Sequence, residues 1–206
     1  MKHLPIFALI LIVIVICPST QAQEELFEGR IVENVYKNEK LGWETVIPAG
    51  WVVRSKSEIA RIEGMGKEAM EKALKQKVVP DHTPLLYLQK DQFNRFTSAA
   101  QKFDLKRDGR YKDQQEFVFK SIIDAYRTQG ITFDRKRGKE LIGGLEFESM
   151  QVTLYTPDRK KVIAHQIVYD RLINERSLMV SVMFNNDADR TSMVDSLKKS
   201  RFLKKR

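Results

Sequence analysis

The chain has 206 residues, a single cysteine and an excess of nine positive charges at pH 7. A length of this order suits one domain that buries roughly 70% of its unfolded surface, with no need of a metal or disulfide staple. Cys17 lies in the leader, so the remaining chain has no disulfide, thiolate metal site or cysteine nucleophile, and its positive balance favours anionic partners.

Lys2 and His3 precede an unbroken apolar run from Ile6 to Ile16, and Thr20 and Ala22 complete a small-x-small pattern. Residues 1–22 therefore read as a cleaved secretory signal, leaving a single domain over residues 23–206 in the periplasm or outside the cell. The apolar run is about half of the roughly 20 residues that a spanning helix needs, which argues against a transmembrane anchor. Lipid attachment at Cys17 is the weaker alternative, because Ile16 stands where that processing prefers a small side chain. Export disfavours chemistry on nucleotides, nicotinamide cofactors or the genome, so no nucleic acid partner and no cofactor are expected.

Arg30 to Tyr36 and Leu41 to Ile47 read as two strands joined by Lys37-Asn38-Glu39-Lys40, and Pro48-Ala49-Gly50 ends the second. Trp51, Val52 and Val53 resume an extended segment. Ser57 is the expected N-cap of a helical stretch to Gln76, which Gly64 and Gly66 should bend or split. Val78 to Thr83, containing Pro80, reads as a loop, and Leu85 to Gln89 and Phe96 to Phe103 as strands.

Lys106 to Lys112 reads as a charged linker, with Asp113 capping a helix whose Phe117, Ile122, Ile123 and Tyr126 recur at helical spacing before Gly130 ends it. Ile131 to Phe133 starts a strand, and Gly143-Gly144 leads into a long one, Leu145 to Tyr155. Its apolar set changes parity from Leu145 and Phe147 to Met150, Val152 and Leu154, which predicts a bulge near Glu148-Ser149. Turns at Thr156-Pro157-Asp158-Arg159 and Asn174-Glu175 then set Val162–Leu172 and Ser177–Phe184 into an antiparallel meander. Asp187 or Asp189 is the expected cap of a final helix carrying Met193, Val194 and Leu197, and Phe202 anchors its exit. Strands grouped in this way predict an α+β domain, an antiparallel sheet with helices packed on its faces in an α/β/α layering.

Three stretches give the chain a family resemblance: Gly42-Trp43-Glu44-Thr45-Val46-Ile47-Pro48-Ala49-Gly50-Trp51, Ile142-Gly143-Gly144-Leu145-Glu146-Phe147, and the closing Ser200-Arg201-Phe202 after the last strand and helix. In these it resembles the PsbP-like superfamily, which takes in photosynthetic subunits, a branch that binds a nuclear GTPase and many exported bacterial proteins. The resemblance implies an antiparallel sheet between helical layers and a tendency towards non-catalytic binding. No functional residue of either well-known branch matches a position here.

No catalytic constellation emerges from the residues. Asp81-His82 lacks the three or four ligands of a zinc site, and His165, between Ile163 and Ile167, reads as a hydrogen-bonded strand histidine with no nucleophile to serve. No G-x-S-x-G elbow is present, and Gly64-Met65-Gly66 lacks the third glycine of a dinucleotide loop. Glu146 and Glu148 read as solvent-facing carboxylates rather than a glycosidase pair. Trp43, Trp51, Tyr87, Phe93 and Phe96 read as core.

The basic residues cluster, and Arg135, Lys136, Arg137, Arg159, Lys160 and Lys161 form the candidate surface for an anion or partner. The expected role is that of an exported binding or accessory protein, its partner an envelope protein or an anionic envelope component. A lipid- or small-ligand-binding protein with a pocket between sheet and helix is the alternative.

Overall fold

Glu33 and Asn34 stand at φ 48° and 65°, the left-handed geometry of a type I′ turn. They divide the strand expected over Arg30–Tyr36 into β1 (Arg30–Val32) and β2 (Val35–Asn38), with Val32 opposite Val35. The computed structural model describes residues 26–74 and 81–203, apart from the side chains of 65–67 and 69–74. The expected signal at residues 1–22, Cys17 and residues 78–80 of the expected loop lie outside the described residues.

β3 (Trp43–Val46) pairs with β2, and β11 (Arg201–Phe202) closes this small sheet against β3. Gly42 has φ 66° and no room for a Cβ against the Leu203 carbonyl, so glycine is required where the closing strand arrives. Glu28 ties this sheet to the rest of the chain, its carboxylate accepting from Asn38 Nδ2 at 2.9 Å, Lys40 Nζ at 2.8 Å and Arg176 Nη1 at 2.7 Å. Burial alone would raise the Glu28 carboxyl, but these hydrogen bonds outweigh it and hold it below the usual value.

The remaining strands form the large sheet. After β4 (Val52–Val53) the chain enters α1 (Lys56–Leu74), one uninterrupted helix in spite of Gly64 and Gly66. Its cap is Ser55 and not Ser57: Ser55 Oγ accepts from Glu58 N at 3.4 Å while Glu58 Oε2 accepts from Ser55 N at 2.9 Å, a reciprocal capping box. β5 (Thr83–Gln89) and β6 (Arg95–Lys102) follow.

The expected charged linker contains a short helix, α2 (Leu105–Asp108), because Asp104 accepts from the N–H groups of Lys106 and Arg107. In α3 (Tyr111–Thr128) Arg110 occupies the N-cap and Asp113 lies in the first turn. β7 (Thr132–Ile142), β8 (Leu145–Tyr155), β9 (Val162–Ile173) and β10 (Arg176–Phe184) make the expected meander, extended by one strand. Asn186, rather than Asp187 or Asp189, caps α4 (Asp187–Lys198) by accepting from Asp189 N at 2.9 Å.

Among the described residues all strand pairs are antiparallel, the small sheet running β1-β2-β3-β11 and the large one β4-β5-β6-β10-β9-β8-β7. One face of the large sheet packs beneath α4 and the small sheet, with Trp43, Phe96, Phe147, Ile167, Tyr169, Met193 and Leu197 in a common core. The other face packs beneath α3, where Phe119 and Ile123 meet Met150, Val152, Leu154 and Val168. The domain is therefore α+β and layered, with one outer layer shared between a helix and a small sheet.

This double burial removes the expected bulge in β8. Its register with β7 runs unbroken from Thr132 opposite Tyr155 to Ile142 opposite Leu145. The parity change arises because Phe147 points into the first core while Met150, Val152 and Leu154 point into the second. The same geometry corrects the helix face: Phe119 is buried against the sheet, and Phe117, two residues away, is 69% exposed.

Asp170 fixes α3 to the sheet. It is 2% exposed and accepts from Tyr111 Oη at 2.7 Å, Gln115 Nε2 at 2.9 Å and Ser177 Oγ at 2.9 Å. Burial raises its carboxyl above the usual range, opposed by these hydrogen bonds and by the charge of Arg137. Removing the carboxylate leaves three donors at a largely buried site without their acceptor, so Asp170→Ala should lower stability by about 3 kcal/mol in urea unfolding, and Asp170→Asn, which keeps one acceptor, by less. Equal stability of the Ala variant and the native chain would show that α3 does not depend on this anchor.

Candidate functional site

The six candidate cations fall into two groups of different fate. Arg135, Lys136 and Arg137 lie within β7, where the sequence placed only the start of a strand, and Arg159, Lys160 and Lys161 lie in the turn between β8 and β9. The turn folds back on the strand because Arg159 Nη2 reaches Asp134 Oδ1 at 2.5 Å while Tyr155 Oη donates to Asp134 Oδ2 at 2.9 Å. The guanidinium of Arg159, and then the Tyr155 hydroxyl, hold Asp134 below the usual carboxylate range. Residues 25 apart in the chain are thus brought to one end of the β7–β8 arm.

Two of the six are engaged within the fold. Arg137 lies over the Phe119 ring at 3.9 Å and donates through Nη1 and Nη2 to Glu116 at 3.1 and 2.9 Å, clamping β7 to α3. Arg159 is held by Asp134 and sits 5.2 Å from the Tyr155 ring. Among the described residues Lys160 pairs with Asp158 alone, at 3.9 Å, and its side chain is 81% exposed. Among the described residues Arg135, Lys136 and Lys161 make no side-chain hydrogen bond or ion pair.

Strand alternation separates the cations further. The register places Arg135 and Arg137 opposite Val152 and Met150, on the α3 side, and Lys136 opposite Gln151, on the α4 side. Arg135 and Lys136 therefore border both faces of the sheet at its outer strand. Sequence reasoning missed Glu116 and Phe119 as the partners of Arg137; the spacing of Gln115, Phe119 and Ile123 along α3 was the signal that could have found the ring.

On the α4 side a shallow depression of ≈ 180 Å³ is lined by Gln151, Thr153, His165, Phe184, Asp187 and Arg190. His165 is held as a strand histidine, with Nδ1 3.2 Å from Thr153 Oγ1 and its ring stacked on Phe184 at 5.2 Å. His82 Nε2 lies 3.1 Å from Glu63 Oε1, a hydrogen bond that raises its pKa against the opposing effect of burial. Among the described residues no three His, Cys, Asp or Glu side chains converge as metal ligands. Glu146 and Glu148 both flank Lys139, at 2.8 and 3.5 Å. Trp43, Trp51 and Phe96 are buried, and Tyr87 and Phe93 are half-buried.

No family model and no curated protein sequence matches the chain. Among solved structures it is similar to cyanobacterial PsbP (CyanoP) from Synechocystis sp. PCC 6803, with a TM-score of 0.49 and 14% identity over 82% of this chain and 91% of that one. The likeness is one of chain arrangement, and no residue role passes from it to this chain. Among the described residues no helix is long and apolar enough to cross a membrane.

The division of the cations can be measured directly. Arg137→Ala removes the clamp on Phe119 and Glu116 and should cost about 1–2 kcal/mol in urea unfolding. Arg135→Ala should stay within about 0.5 kcal/mol of the native chain. Equal losses in the two variants would contradict the assignment of Arg137 to the fold.

Proposed function

We propose that the protein is an exported, non-catalytic accessory protein of the cell envelope that binds an anionic partner through Arg135, Lys136, Lys160 and Lys161. The observation that carries this reading is the pairing of Arg159 with Asp134, which brings the turn carrying Lys160 and Lys161 to the end of the β7–β8 arm where Arg135 and Lys136 border opposite faces of the sheet. Arg159 and Arg137 are neutralised by the fold itself; among the described residues Arg135, Lys136 and Lys161 have no ion-pair partner, and exposed Lys160 has Asp158 at 3.9 Å. Such a cluster attracts and orients an acidic surface over a Debye length of about 8–10 Å at physiological salt.

A binding role through a pocket has less support. The depression beside His165, at ≈ 180 Å³, is smaller than the roughly 300–1,000 Å³ of ordinary ligand sites. The space between the sheets is instead filled by rings, with Trp43 against Tyr36, Phe96 and Phe202 at 5.3, 6.5 and 6.4 Å.

Binding to polyglutamate and to phosphatidylglycerol vesicles at low salt tests the reading. At least one should bind and be released as salt rises, and the variant Lys136→Gln, Lys160→Gln, Lys161→Gln should lose about 1 kcal/mol of binding per lysine. The reading fails if neither probe binds at low salt, or if the triple variant binds as the native chain does.

A further inference from the structure

The outer strand of the large sheet presents a backbone pattern as well as a charge. Gly143 and Gly144, at φ 56° and 79°, form a type I′ turn between Ile142 and Leu145, which makes that pair a hydrogen-bonded one. Alternation along an antiparallel ladder then directs the N–H and C=O groups of Glu140, Gly138, Lys136 and Asp134 to β8. Those of Leu141, Lys139, Arg137, Arg135 and Phe133 face outward. Among the described residues no strand pairs with this outer side. The edge is eleven residues long, in unbroken register and free of proline.

A long regular edge is a template for another strand, and proteins ordinarily blunt it. Here the charges select among possible occupants. Twofold pairing of β7 with a second copy, centred on Arg137, would set Arg135 against Lys139 and Asp134 against Glu140. Centring on Lys136 sets Arg135 against Arg137, and centring on Gly138 sets Arg137 against Lys139. Each of these registers opposes like charges, which destabilises cross-strand pairs. An acidic strand meets the reverse situation, because among the described residues Arg135 and Lys136 have no carboxylate partner and the turn carrying Lys160 and Lys161 lies at the same end of the arm.

We propose that the outer edge of β7 accepts an acidic extended segment of a partner protein as an additional antiparallel strand, with main-chain bonds giving affinity and the free cations giving selectivity. This rests on the reading of the cationic face given above and names the form of its partner. A lipid headgroup could answer the charges but not the alternating donors and acceptors of the edge.

The probe is a capped peptide alternating glutamate and valine, as long as β7. It is titrated against the native chain, Arg135→Gln and Arg135→Pro. The last two lose the same charge, but only proline removes the outward N–H, a change that an edge strand tolerates. Arg135→Pro, its fold checked by circular dichroism, should bind about tenfold more weakly than Arg135→Gln. In the native chain the peptide should slow hydrogen exchange at the Arg135, Arg137 and Lys139 amides while leaving Gly138 and Lys136 unchanged. That second measurement decides alone if the proline variant does not fold.

Equal binding by the two variants, with the outward amides still in fast exchange, would overturn strand addition while leaving the cationic face intact. Absence of peptide binding by the native chain would also overturn it. If vesicles still bind, the face belongs to lipid; if polyglutamate and vesicles fail as well, the reading beneath the proposal falls with it.

Discussion

Both faces of the central strands of the large sheet are buried, and the rest of the molecule follows from that constraint. A strand crossing such a sheet supplies apolar side chains in both directions, as β8 does with Phe147 on one side and Met150, Val152 and Leu154 on the other. Each face then needs its own cover. One is α3, fixed by Asp170 and by the Phe119 ring; the other is α4 together with the small sheet, joined through Trp43 and Phe202. Burial of this extent leaves the ends of the sheet as the places where backbone can meet solvent. One end is the two-residue β4, and the other is the long β7.

The cations near β7 divide according to the same constraint. Arg137 points towards α3 and finds an aromatic ring and a carboxylate, so its charge serves the interface between helix and sheet. Arg135, two residues earlier on the same side, lies beyond that carboxylate. Asp134 draws the turn after β8 onto the arm through Arg159, and this internal pair brings the turn's lysines to the same end of the arm as Arg135 and Lys136. Charge on an edge strand protects it from copies of itself, and the uneven distribution here gives that protection a sign.

Much of this arrangement was legible in the residues. The meander from β8 to β10, the helix after the charged stretch and the closing helix all carried clear periodicity and turn signals. Other elements were hidden for definite reasons. The turn at Glu33-Asn34 contains no glycine or proline, so one strand was read where two exist. Ser55 and Ser57 are alike in composition, and only the reciprocal bond to Glu58 distinguishes the cap. The parity change in β8 has the same sequence pattern whether it marks a bulge or a strand with two buried faces. Of the site, composition disclosed all six cations but not their counter-charges, because Glu116 and Asp134 reach Arg137 and Arg159 across 21 and 25 residues.

The openness of β7 is the claim on which the account of binding rests, and amide hydrogen exchange of the free, full chain measures it. Backbone groups bonded to β8 exchange slowly, and those facing solvent exchange quickly. An open edge gives alternation along the strand, slow exchange at Asp134, Lys136, Gly138 and Glu140 and fast exchange at Arg135, Arg137, Lys139 and Leu141. Uniform protection across these eight positions would contradict it, showing that the edge is already occupied in the free protein.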